Sequence, residues 1–249
     1  MHVLRAATIL PVLFLGSFNL TACTNFEGFL EGLSLLVDVA DYAEASKEYD
    51  KGNKAYDEGD YETALNYFKK AAARGHLGAQ VDIGWMYEEG LGVKQDDEQA
   101  VHWYEKAAKQ GSAGGQYNLG WMYENGRGLK QDDKEAYYWY LLAAAGGFVD
   151  ALKALLPLEE RLTAAQIATV HDWVATHGDV NTHFGLGGIY EQGEGVARDN
   201  KKAYFWYLLA AGGGSEKAAK AAANVEERLS AREMRAVRNS AEVWQAKQD

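Results

Sequence analysis

One thiol, Cys23, and three histidines spaced by six, His171, His177 and His183, are the side chains here best suited to chemistry. A lone cysteine allows no intrachain disulfide. A spacing of six does not stack side chains on one helix face, so the histidines read as surface or cap residues rather than zinc ligands. The pairs Gly90/Gly92, Gly126/Gly128 and Gly193/Gly195 suggest a phosphate cradle at first sight. They lack a third glycine and a preceding strand, and read instead as helix-end turns at positive φ. Gln95-Asp96-Asp97 and Gln131-Asp132-Asp133 lack the ligand spacing of a calcium loop, and one Asp in each suits a helix N-cap. No nucleophile elbow and no Ser-x-x-Lys pair occurs. The sequence therefore predicts no enzyme, no cofactor and no metal site.

The elements that would hold these side chains come from a repeat. Residues 76–111 read HLGAQVDIGWMYEEGLGVKQDDEQAVHWYEKAAKQG, return at 112–147, and largely return again at 179–214. A period in this range means units that bury their apolar faces only against their neighbours. In the first block Ala79, Ile83 and Tyr87 fall on one helical face. Gly84 lies beside them, where a missing side chain lets a second helix approach. Ala100, Trp103, Tyr104, Ala107 and Ala108 form the answering stripe. A second similarity, offset by 67 residues, matches 162–167 to 229–234. Both segments are capping boxes, Thr163 with Gln166 and Ser230 with Glu233, preceded by helical runs. Residues 112–178 and 179–245 are thus two copies of a larger unit, a repeat followed by a helix pair. The last pair is expected to cap the array.

These positions resemble the Sel1-like repeat, a relative of the tetratricopeptide repeat. Block one carries its pattern at Ile83-Gly84, Tyr87, Gly92-Val93, Asp96, Ala100, Trp103-Tyr104 and Ala107-Ala108. Block two carries it at Leu119-Gly120, Tyr123, Asp132, Ala136, Trp139-Tyr140 and Ala143-Ala144. Block three does so at Leu186-Gly187, Tyr190, Asp199, Ala203, Trp206-Tyr207 and Ala210-Ala211, with His183 and Gly188 irregular. Upstream, Gly52, Gly59-Asp60-Tyr61, Ala64, Phe68 and Ala71 match an ordinary tetratricopeptide repeat. The resemblance implies an all-α fold, a right-handed α-solenoid of tetratricopeptide/Sel1-like helix pairs. Its expected divisions are a leader (1–22), a linker helix (23–45), a tetratricopeptide-like repeat (46–75), Sel1-like repeats (76–111, 112–147, 179–214), an inserted helix pair (148–178) and capping helices (215–249).

In related tetratricopeptide domains the first helix of each repeat lines a concave groove. The resemblance places Asn53, Trp85, Trp121 and Gly188 facing it. One turn earlier come Tyr49, Val81, Tyr117 and Phe184, and one turn later Tyr56, Glu88, Glu124 and Glu191. Aromatics flanked by carboxylates suit an apolar or basic peptide. The plainer possibility is that Trp85 and Trp121 pack against neighbouring repeats. The Lys/Asn/Arg carboxylate clamp of chaperone-binding relatives is absent apart from Asn53, which argues against an acidic C-terminus in this groove.

At the start of the chain a short basic stretch and an apolar run, residues 6–18, end in Leu20-Thr21-Ala22-Cys23. This resembles the lipobox of bacterial lipoproteins, and implies cleavage before Cys23 and lipidation of its thiol. Thr24, rather than Asp, implies the outer membrane, periplasmic face. Residues 26–40 carry an apolar stripe expected either to pack on the first repeat or to lie near the membrane. Without Arg5, the leader's one Lys or Arg, 24 basic face 36 acidic side chains, a net of −12. That balance excludes nucleic acid as a partner, because phosphates require a basic surface. The expected role is a lipid-anchored periplasmic adaptor that binds a protein or peptide in envelope assembly, secretion or regulation. The alternatives are a cell-wall enzyme or small-ligand protein for β-lactam or peptidoglycan, or an immunity or virulence factor. The paired cysteines of β-lactam-linked relatives are missing.

Overall fold

The computed structural model describes residues 26–193 and 195–245, with side chains from Ala40 onward. The leader, Cys23 and the side chains of most of the 26–40 stripe lie outside the described residues. Those described are all-α: twelve helices and no strand. They fall into two compact units that divide after Ala79.

In the first unit α1 (Phe26–Asp57) packs on α2 (Tyr61–Ala72). The sequence reading separates a linker helix from the first repeat at residue 45, yet α1 is one helix of 32 residues across that point. Nothing between Ser34 and Lys51 breaks it, since no glycine or proline occurs there. Gly52 lets the two helices touch: a Cβ at this position would sit 2.5 Å from the Phe68 ring. Asp60 caps α2 by accepting the Thr63 N–H. Ala45, Ala55, Ala64, Leu65, Phe68 and Ala71 are buried between the pair.

The second unit is a stack of helix pairs. It takes α3 (Leu77–Glu89) from Gln80 onward, then α4 (Asp97–Lys109), α5 (Ala113–Asn125), α6 (Asp133–Ala145) and α7 (Val149–Arg161), followed by α8 (Ala164–His177), α9 (Val180–Gln192), α10 (Asn200–Gly212), α11 (Glu216–Glu226) and α12 (Ala231–Gln245). Local chemistry sets their ends. Asp96, Asp132 and Asp199 each accept backbone N–H groups at the start of α4, α6 and α10. Thr163 with Gln166 and Ser230 with Glu233 close reciprocal capping boxes. Gly126 and Gly193 end α5 and α9 in the left-handed region, at φ 64° and 74°. Pro157 lies inside α7 on its exposed side, where its missing N–H leaves one carbonyl without a helical partner.

Within each repeat a glycine meets a tyrosine ring. Gly84, Gly120 and Gly187 lie against Tyr104, Tyr140 and Tyr207 on the following helix. Between repeats, α5 packs on α4, while α7, α8 and α9 all pack on α6. The inserted pair and the third repeat therefore share one supporting helix. Around it Tyr137, Tyr140, Leu141, Leu155, Val174, Leu186, Tyr190 and Trp206 form a continuous buried cluster. Each such side chain contributes on the order of 1.5–3 kcal/mol by leaving water. At the far end α11 and α12 both pack on α10.

Candidate functional site

The first helices of the second unit's repeats carry the expected recognition residues in register. Trp85 on α3 is 40% exposed and Phe184 on α9 is 36% exposed. Trp121 on α5 is half-buried: one side packs on the buried clusters and the Arg127 guanidinium lies 5.3 Å from its ring centroid. Trp121 is therefore partly a packing residue. Val81 packs on the cluster of Tyr104, Leu119 and Met122. Tyr117 is held between Phe148 at 4.7 Å and Tyr140 at 5.4 Å. Gly188 presents no side chain beside Tyr207. In the first unit, Tyr49 stacks on His76 at 4.2 Å and meets Phe68 at 5.5 Å, while Tyr56 rests against Tyr61. Asn53 is half-buried on the same helix.

The three carboxylates do not stand free as a rim for a basic peptide. Glu88 accepts from Tyr104 Oη at 2.8 Å and from Arg127 at 3.0 Å. Glu124 accepts from Tyr140 at 3.0 Å and from Arg161 at 2.8 Å. Glu191 accepts from Tyr207 at 2.8 Å and from Arg228 at 2.9 Å. In each case the arginine ends or closely follows the first helix of the next helix pair, so the clamp ties one pair to its successor. Arg127 and Arg161 also fork onto Asp97 and Asp133. Burial pushes the Glu88 carboxyl up, against the pull of its Tyr104 and Arg127 partners. Burial and the adjacent carboxylate push the Tyr104, Tyr140 and Tyr207 hydroxyls up. Sequence reasoning missed the clamps, although a signal was present: Glu124 and Arg161 recur as Glu191 and Arg228 at the 67-residue offset.

The histidines differ from expectation as well. His171 is half-buried and His183 is buried. His183 is 6% exposed, stacks on Trp206 at 5.6 Å, and places Nε2 3.3 Å from the Val174 carbonyl. His171 Nε2 lies 2.7 Å from Tyr190 Oη and 3.2 Å from Tyr137 Oη, and Tyr137 donates to Glu159 at 3.0 Å. Burial drives the His171 imidazole down to about 3. His177 is exposed and stacked on Trp173. Helix packing explains the misreading: His183 sits on α9, whereas His171 and His177 sit on α8, so linear spacing does not give their relation. None of the described residues form a His/Cys/Asp/Glu group able to hold a metal ion.

Against known families, the chain matches the Sel1 repeat model at residues 41–76, 78–112, 113–148 and 181–215, together more than half its length. The first of these segments contains the tetratricopeptide-like stretch 46–75 and begins five residues before it. Among solved structures, a Sel1 repeat protein from Oxalobacter formigenes is 32% identical, over 71% of this chain and 74% of that one, with a TM-score of 0.44. A protective antigen of uropathogenic Escherichia coli strains, described as displaying an SLR fold, is 31% identical over 77% of this chain, with a TM-score of 0.46. This chain covers 43% of that antigen. An immunity protein from Pseudomonas aeruginosa is 24% identical over 73% of this chain and 68% of that one, with a TM-score of 0.33. A search of curated proteins finds no match.

Proposed function

The chain belongs to the Sel1 repeat family, whose repeats generally bind protein partners, and from that premise we propose that it is a non-catalytic adaptor. It holds a protein partner on the first-helix face of its second unit and is anchored by lipid at Cys23 on the periplasmic side of a bacterial outer membrane. One observation carries the binding reading: two repeats place a tryptophan at the same helical position, and Trp85 keeps 40% of its surface exposed. Tryptophan and arginine dominate interface energetics, and Trp121 lies against Arg127 beside it in the repeat pattern. With Glu88, Glu124 and Glu191 engaged by arginines, the face favours an apolar or aromatic segment over a strongly basic one.

The test is a crosslinking pull-down from envelopes with the full lipidated chain as bait, compared between wild type and Trp85→Ala. The variant is expected to lose capture of its specific partner at least tenfold while melting at the wild-type temperature. Undiminished capture by the variant contradicts this assignment, and so does capture lost only because the variant unfolds.

A further inference from the structure

The second unit contains two complete arginine forks and a third that is incomplete, and the third opens on a cationic cleft. Arg127 holds Glu88 and Asp97, and Arg161 holds Glu124 and Asp133. Asp97 and Asp133 are the first residues of α4 and α6. The first residue of α10 is Asn200, so among the described residues Arg228 pairs with Glu191 alone. The Asn200 Oδ1 is buried and has no hydrogen-bond partner among the described residues. Asn200 and Arg228 line one cleft of about 320 Å³ together with Arg198 and Lys201. Alongside is a second cleft of about 490 Å³, with which it shares Lys201 and which adds Lys202 and Arg232 above Phe205, Trp206 and Val237.

Five cations thus gather on a chain of net charge −11. The two carboxylates among them are fewer than the cations, and each is fixed by local hydrogen bonds. Asp199 accepts the N–H groups of Lys201 and Lys202 at 2.9 and 3.1 Å. Glu233 accepts from the Ser230 N–H and hydroxyl at 3.0 and 2.7 Å. We infer that this cleft binds an acidic peptide segment of a protein partner. A partner Asp or Glu carboxylate takes on Arg228 the place that Asp97 and Asp133 take on Arg127 and Arg161. An adjacent apolar side chain enters against Phe205, Trp206 and Val237. Bidentate guanidinium–carboxylate pairing supplies the specificity. The chain's negative field selects against extended polyanions. This site is built from α10, α12 and the segments before them, with His171 of α8 at its edge, and it meets the adaptor face only through the Arg228–Glu191 pair.

The probe is a fluorescein-labelled peptide of repeating Glu-Phe-Glu-Leu, titrated with the full-length chain in detergent and read by anisotropy. Micromolar binding is expected, weakening as salt rises. Asn200→Asp supplies the carboxylate internally, restores the residue that the sister helices carry, and is expected to weaken binding at least tenfold with the fold intact. The Gln-for-Glu peptide is expected not to bind, and Trp85→Ala is expected to bind as wild type does. Equal binding by Asn200→Asp, equal binding of the Gln peptide, or no binding at all overturns the inference. So does phosphatidylglycerol-vesicle binding that replaces peptide binding. None of these results bears on capture through Trp85, so the two readings fail separately.

Discussion

His171 shows what burial does to a single titratable group in this molecule. Tyr190 Oη lies 2.7 Å from its Nε2, and Tyr137 Oη donates to Glu159. Burial keeps the folded ring neutral near pH 7. The folded-state value of about 3 lies below the ordinary 6.5. The unfolded chain therefore takes up a proton below about pH 6.5 that the folded chain refuses until about pH 3. Stability from this group is present above pH 6.5 and is lost on acidification across that window, by up to about 1.4 kcal/mol per pH unit. Glu88 acts in the opposite sense, because its raised folded value adds stability as pH falls. Urea unfolding of His171→Gln between pH 4 and 7 is expected to show a flatter pH dependence than wild type. An unchanged slope would mean that His171 is solvated. His171 was hard to read from sequence because its surroundings are Tyr137, Tyr190 and Trp206, on three other helices.

Elements were far more legible, because their signals are local. The Asp N-caps, both capping boxes and the positive-φ glycines fall where residue type places them: Gly90 and Gly92 sit at φ 70° and 64°. Gly84 was legible as a close-approach site, and the ring it meets is Tyr104. That contact is rigid because the Tyr104 hydroxyl is tied to Glu88. A Cβ at Gly84 would lie 2.5 Å from the ring, and one at Gly120 would lie 2.9 Å from Tyr140. Alanine is the better helix former by about 1 kcal/mol, but overpacking costs about 1–3 kcal/mol. Gly84→Ala is therefore expected to lower stability by about 1–2 kcal/mol, and Gly120→Ala by less. The check is the urea midpoint at constant m-value, and a midpoint that rises in Gly84→Ala would show that the helices can part freely. Missed from the sequence were the continuity of α1 and the sharing of α6 by three helices. The sharing depends on what packs from outside the segment, which no local motif records, whereas the continuity was written locally in the lack of Gly or Pro from Ser34 to Lys51.

At the scale of the whole molecule, sequence and structure reach different parts of the same proposal. The repeat pattern left Trp85 either facing a groove or packed on the neighbouring repeat, and the structure leaves 40% of its surface exposed. The pattern did not show that arginines from the next pair would occupy Glu88, Glu124 and Glu191, since that pairing crosses 37 to 39 residues. Membrane attachment rests on different ground. Among the described residues no helix is long and apolar enough to cross a bilayer. The proposed attachment is instead a lipid on Cys23, the one thiol of the sequence. Each buried methylene of an acyl chain adds about 0.8 kcal/mol, so multiple acylation would hold the protein firmly. Expressed at full length, wild type is expected to incorporate labelled palmitate and to partition with outer-membrane vesicles. Cys23→Ser is expected to lose the label and to appear in the soluble periplasmic fraction with an unchanged helical circular dichroism spectrum. If the serine variant stays with the membrane at high salt, attachment lies elsewhere in the chain and the lipid-anchor proposal fails, whatever the protein binds.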